Sequence, residues 1–224
     1  MTNYFVPLAA TAVLLAAACS AAEPPAPKPA AAPAAAPAAT PAATRPAGAA
    51  PAATGSSAAP AQYRQTAGGS LAFSFMQAGA ENHGSFRQFA TELSYDEKNP
   101  AAGSLKVTVQ TASLETQDKD RNDTLAGPDL FDVKKFPTAQ YTAGSFAKRA
   151  DGGLEAVGKL TLRGVTKDLR VPLTIRSTAA GLELSGEVTI KRLAWGVGQG
   201  DWNSTEWVGD DVKLQYKVPL SRAN

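Results

Sequence analysis

Few side chains in this sequence have the types and spacing that chemistry requires. The run DKDRNDTLAGPD, residues 118–129, sets Asp118, Asp120, Asn122 and Asp129 at positions 1, 3, 5 and 12 of a loop, the spacing with which an EF-hand surrounds calcium with oxygen. Position 6 is Asp123 where that turn needs Gly, and position 12 lacks the bidentate Glu. The segment therefore reads as a polar connection with a short helical turn, its N-terminus favoured by the charges of Asp118 and Asp120. His83 is the only histidine, and one imidazole cannot build a multi-histidine metal site; in AENHGS it reads as a solvated turn residue. Two carboxylates for glycoside hydrolysis need only meet in space, and nothing in the sequence singles out a pair. Neither a catalytic residue, a metal site nor a cofactor is predicted. The stretch AWGVGQGDWNSTEWVG, residues 194–209, gathers Trp195, Trp202 and Trp207 with Gly196, Gly198 and Gly200. Its glycines do not match a dinucleotide fingerprint. Three readings follow: a glycine-hinged loop that folds its tryptophans over one barrel end, a simple packing cluster, or an aromatic face that binds sugar beside Asp201, Asn203 and Glu206.

The single cysteine, Cys19, ends the apolar run of MTNYFVPLAATAVLLAAA, residues 1–18. That run has the roughly 7 to 15 apolar residues of a signal-peptide core and stops short of the about 20 that a membrane-spanning helix needs. With small residues just before the cysteine, the segment resembles a bacterial lipoprotein signal, in which Cys19 becomes the lipidated N-terminus. The alternative is ordinary secretion, with cleavage after a small-x-small triplet. One cysteine excludes a disulfide within the chain, so a packed core must hold the protein together.

Residues 19–61 follow as the lipidated N-terminus and a linker of Ala and Pro, in which recurring proline removes amide donors and defeats the helix preference of alanine. Residues 62–224 form one domain. Of 22 basic and 20 acidic residues in the chain, only Lys28, Arg45 and Glu23 precede it, so its charges nearly cancel and no nucleic-acid footprint is present.

The elements of this domain announce themselves by strict alternation. Leu71, Phe73 and Phe75 alternate with smaller residues, Leu105, Val107 and Val109 with polar ones, and the pattern recurs at Leu169, Val171, Leu173 and Ile175. It continues at Leu182, Leu184, Val188 and Ile190 and at Val212, Leu214, Tyr216 and Val218. Such alternation means strands buried on one face. FRQFATELSY, TAQYTAGSFAKR and GLEAVGKLTLRG complete eight or nine strands, with RADGG, GVTKD and TAAG as turns. The predicted fold is all-β: an extended antiparallel up-and-down barrel, lipocalin-like, with a short helical connection. An eight-stranded barrel is either filled by its own side chains or holds one small ligand.

Specific motifs then narrow the reading. They are Gly84 to Phe86 as G-x-F, SYDEKNP at 94–100, Arg121 and Leu125 in the middle connection, DLFDVKKFP at 129–137 and LTLRGVT at 160–166. Across essentially the whole domain these resemble the YceI-like family of bacterial periplasmic or secreted proteins. The resemblance implies a non-enzymatic barrel whose apolar tunnel binds a long polyisoprenoid chain such as an isoprenoid quinone. Its candidate walls are the residues that alternation turns inward: Phe73, Phe75, Phe89, Leu105, Val107, Val109, Leu160, Leu162, Val171, Leu173, Leu184, Val188, Leu214 and Tyr216. Phe131 of the middle connection and Trp195 and Trp202 of the tryptophan loop join them, with Arg121 as the candidate head-group donor. The family often has Asp directly after that arginine, where this chain has Asn122. The expected place is the bacterial envelope, as an outer-membrane lipoprotein facing the periplasm and attached to the membrane through Cys19, or else as a secreted periplasmic protein; pairing of two barrels into a homodimer is left open. The competing function is a carbohydrate or cell-wall binding module working through residues 194–209, with a hydrolase as a distant third.

Overall fold

The alternating runs fold as their period requires. The structure is a computed structural model and describes residues 59–223, so Cys19, the signal segment and nearly all of the linker lie outside the described residues. In chain order the elements are β1 (Ala61–Gln65), β2 (Ser70–Gln77), β3 (Ala80–Phe86), β4 (Phe89–Tyr95), β5 (Ser104–Gln110), β6 (Leu114–Glu115) and α1 (Lys119–Ala126). They continue with β7 (Thr138–Lys148), β8 (Leu154–Leu162), β9 (Val165–Thr178), β10 (Gly181–Lys191) and β11 (Val208–Arg222).

Three pairs of short strands act as single wall positions. β1 and β2 both pair with β11, at Tyr63↔Arg222 and Phe75↔Val212, and their partners on the other side are β4 and β3 in turn. β3 and β4 are separated only by Arg87 and Gln88, β5 and β6 only by the turn Thr111–Ser113, and the two breaks are tied together. There the Arg87 amide donates to the Ser113 carbonyl at 3.0 Å and the Gln88 amide to Ser113 Oγ at 3.0 Å. Counted this way, the sheet is a closed antiparallel barrel of eight strands, each beside its neighbour in sequence.

Several local expectations need correction. AENHGS is strand, not turn: β3 spans it, His83 lies exposed on the outer face, and the turn is Ala78–Gly79, with φ of 50° and 79°. Of GVTKD, all but Gly164 likewise belongs to β9, because the reversal needs only Arg163 and Gly164, with φ of 49° and 75°. This is the two-residue hairpin geometry that matches strand twist. The run 118–129, by contrast, carries the short helical turn expected of it: α1, with Asp118 as N-cap accepting from the Arg121 amide at 3.0 Å.

Packing divides the barrel along its length. At one end Leu93, Leu105, Ala143, Phe146, Ala156, Leu173, Leu182 and Leu220 close into a filled core. At the other end lie the segment 116–137, which carries α1, and the loop 196–207. Arg163 joins the two, donating to the carbonyls of Gly196 and Pro128. The ring of Phe136 lies against Gly164, so close that a Cβ there would come within 2.8 Å of it. Gly164→Ala should therefore cost about 1–2 kcal/mol for the left-handed backbone alone, more with the clash, as a lower urea midpoint at unchanged slope. A midpoint equal to wild type would show that the hairpin does not need this residue.

Candidate functional site

The inward faces of the strands leave two connected spaces. The larger, about 410 Å³, lies beneath α1 and is walled by Phe73, Phe75, Phe86, Leu162, Ile190 and Val208, with Leu125, Leu130 and Phe131 from the covering segment. The smaller, about 110 Å³, lies deeper and is walled by Phe89, Leu105, Val107, Val171, Leu184, Val188, Tyr216 and Val218. Leu71, Val109, Ala139, Leu160 and Leu214 border both, and so form the waist between them. The larger space falls within the roughly 300–1,000 Å³ of ligand sites.

Each wall follows from alternation joined to closure. On β2 the inward phase delivers Leu71, Phe73 and Phe75, and the rings of Phe73 and Phe86 meet at 5.3 Å. Phe131 reaches Phe86 edge-on at 5.8 Å, so the covering segment is held by an aromatic contact that itself lines the space.

Of the residues expected in the walls, all but two border one space or the other. Leu173 points inward as its phase requires but is 4% exposed within the filled end, with no free volume beside it. Trp195 is 5% exposed and packs with Leu162, Ile190 and Val197, its indole N–H donating to the Leu160 carbonyl at 3.1 Å. Both are core, not lining. Nor do the tryptophans share one face: Trp202 borders the larger space while Trp207 is 71% exposed.

Polar groups collect where α1 meets the larger space. Asp118, Asp120, Arg121 and Thr124 line it there, with Gln77 from the end of β2. Arg121 is half-buried and its guanidinium lies 3.9 Å from the Asp118 carboxylate, a loose pairing that leaves donors free. Asn122 does not orient it. Its side-chain oxygen instead accepts from the Thr116 amide at 2.8 Å and hydroxyl at 2.7 Å, while its amide donates to Glu115 at 3.0 Å. That last bond is the main reason the Glu115 carboxyl is held below its ordinary range, and a carboxylate at position 122 has no proton to make it.

Arg192 has the opposite character. It is buried, borders the larger space and spends all five N–H donors on the carbonyls of Val197, Trp202, Ser204, Val208 and Gly209, at 2.7–3.0 Å. Burial lowers its pKa from the usual guanidinium value, opposed by Asp210. With no donor left for a ligand, it shapes the loop. Gly198 is needed beside it, at φ 123° and with room for a Cβ only 2.0 Å from the guanidinium.

Sequence reasoning missed Arg192, whose partners are all backbone, and missed Thr91, Gln77 and Tyr141. Thr91 lies in phase with Phe89 and Leu93, which is the signal that could have found it. It is 2% exposed, borders the smaller space and has no hydrogen-bond partner for its hydroxyl within the protein.

Comparison with known proteins agrees with this geometry. Residues 63–220 match the family model described as YceI-like domain. The protein UPF0312 YE1254 of Yersinia enterocolitica is 33% identical over 156 residues, covering 63% of this chain and 74% of the relative. The protein YceI of Salmonella arizonae is 33% identical over 117 residues, covering 49% of this chain and 61% of its own length. Among solved structures, BcnA of Burkholderia cenocepacia superposes with a TM-score of 0.65 at 30% identity, over 68% of this chain and 96% of that one. A polyisoprenoid binding domain from Saccharophagus degradans, implicated in plant cell wall breakdown, shares the fold with a TM-score of 0.57 at 15% identity, over 73% of this chain and 99% of that one.

Two phenols in the smaller space make its stability depend on pH. Tyr141 donates to the Ala156 carbonyl at 2.9 Å and Tyr216 to the Pro172 carbonyl. Burial raises both above the ordinary value of 10.0, helped by the charge of Glu155 for Tyr141 and by Tyr141 for Tyr216. The unfolded chain then loses these protons first, so their contribution is complete below about pH 10 and is lost as pH rises above it, at up to about 1.4 kcal/mol per pH unit for each phenol. Urea midpoints should fall above about pH 10, and less steeply in Tyr216→Phe. Identical slopes in the two proteins would remove Tyr216 from this account.

Proposed function

The chain belongs to the YceI-like domain family, and from that membership together with its two-chambered apolar interior we propose that it binds a long polyisoprenoid lipid without catalysis. The observation that carries the reading is the shape of the space. A wide outer chamber with a polar border narrows through Leu71, Val109, Ala139, Leu160 and Leu214 to a dry inner one, which suits a chain with one polar end. Each buried CH₂ is worth about 0.8 kcal/mol, so a five-carbon unit supplies roughly 4 kcal/mol before ordering costs are subtracted. Arg121 is the head-group donor in this reading, since Arg192 is fully occupied. An isoprenoid quinone is one such chain, and this reading sets its ring beneath α1 and its tail through the waist.

The same proposal puts the protein in the bacterial envelope, with Cys19 lipidated and the Ala- and Pro-rich linker that follows it as the tether to an outer membrane. Changing Cys19→Ala should release the protein from the membrane fraction; a wild-type protein already soluble, with an unmodified N-terminus beyond residue 19, would contradict the anchor while leaving the barrel reading intact.

A steric block at the waist tests the binding itself. Leu214→Trp should fold, fill the passage and lower the isoprenoid recovered per barrel about tenfold by native mass spectrometry and lipid extraction, as expected for loss of about two CH₂ contacts or more. Leu173→Trp is the contrast: it overpacks the filled end, costing about 1–3 kcal/mol of stability without blocking the passage. If wild type carries no long apolar chain, or Leu214→Trp carries as much as wild type, the reading fails.

A further inference from the structure

Two large apolar side chains are exposed among the described residues, Trp207 at 71% and Met76 at 46%, and they lie at one place. Val208 pairs with Gln77 and both border the larger chamber; Met76 is the outward neighbour of Gln77 on β2, and Trp207, in the turn that leads into β11, immediately precedes Val208. The Ala78 amide donates to the Trp207 carbonyl at 2.8 Å, which fixes the tryptophan beside the β2–β3 turn. A register shift in β11 between Val208 and Val212 sets off this corner of the wall.

From this we propose that the Trp207 and Met76 corner is a docking surface for a lipid bilayer, through which the barrel exchanges its chain with the membrane. The inference rests on the lipid-binding reading and adds to it a place and a mode of contact. A free isoprenoid chain crossing water forfeits about 0.8 kcal/mol for every CH₂ it exposes, whereas a mouth seated in the headgroup layer spares it that exposure. Tryptophan beside an apolar tip suits this layer, where an amphipathic ring has one side dry and one wet. A second protein is the poorer occupant. An aromatic side chain offers only about 150–250 Å², and with one methionine the corner falls well short of the roughly 800 Å² per partner of a stable interface.

Charge points the same way and makes the mode specific. The segment 116–137 carries Asp118, Asp120, Asp123, Asp129 and Asp132 against Lys119, Arg121, Lys134 and Lys135, and Glu81 and Glu206 flank the corner. No basic patch is present to draw it to anionic lipid. Contact therefore comes from apolar insertion, which is insensitive to salt and needs no anionic headgroup. No helix among the described residues is long and apolar enough to cross a membrane, so the contact is superficial.

The test uses the full chain with vesicles of phosphatidylcholine brominated near the headgroup. Trp195 is buried and Trp202 half-buried, so the part of the quenching that Trp207→Phe removes reads Trp207, regardless of how Cys19 holds the chain. We expect quenching that is lost in Trp207→Phe and unchanged by salt. Uptake of a polyprenyl lipid from vesicles should be about tenfold slower in Met76→Ser/Trp207→Ser, with unaltered affinity for the same lipid delivered in detergent. Quenching equal in wild type and Trp207→Phe, equal uptake by the double variant, a requirement for anionic lipid, or a dimer that the double variant abolishes would each overturn the proposal. If no lipid binds even from detergent, the binding reading fails, and the quenching measurement still decides the docking.

Discussion

β11 pairs with β10 along one edge and with β2 and β1 in succession along the other, and this closure sets the interior volume that every other element must fill. Eight strands enclose a space that side chains can fill or a small ligand can occupy. This chain does both at different depths. Phe146, Leu173, Leu182 and Leu220 fill one end, while at the far end the walls enclose the larger space. Stability and binding are thereby separated along one axis, so the binding end can stay underpacked while the other holds the barrel closed.

The two arginines that border the outer chamber show how similar side chains come to differ. Arg192 is enclosed by a loop whose carbonyls converge on it, and a buried cation with all its donors occupied is a structural fixture. Arg121, on the first turns of a short helix, meets only a loose carboxylate. Geometry alone separates them, since both are arginines at the edge of an apolar space.

That contrast also marks the limit of what was legible in the sequence. The alternation of Leu105, Val107 and Val109, or of Leu214 and Tyr216, specifies strands and their inward faces, so the barrel and most of its walls were readable. Alternation reports direction only, and cannot say whether an inward side chain meets a neighbour or empty space. Val171 and Leu173 share one phase, yet the first borders the inner chamber and the second lies in the filled end. The difference depends on neighbours supplied by other strands, Ala156 opposite Val171 and Leu154 opposite Leu173, and no pattern within β9 contains that information. β1 and β3 were missed because short strands rich in Gln, Glu and Asn show little apolar contrast, and they persist because β11 and β4 supply partners for β1, and β2 and β6 for β3.

An empty apolar chamber has an energetic consequence for the elements around it. Walls that lack contacts on one side forgo dispersion, and voids of this kind cost on the order of several kcal/mol in all. Packing at the open end, such as Phe131 on Phe86, is therefore supplemented by polar ties. Arg192 gathers the tryptophan loop, the Asp129 carbonyl accepts from the amides of Gly198 and Gln199 at 3.0 and 2.8 Å, and Asn122 closes the turn into α1. None of these bonds depends on what occupies the chamber. The mouth is thus shaped in advance, and a ligand that enters restores the missing contacts without having to build the site, so binding adds to stability by mass action instead of replacing structure already there.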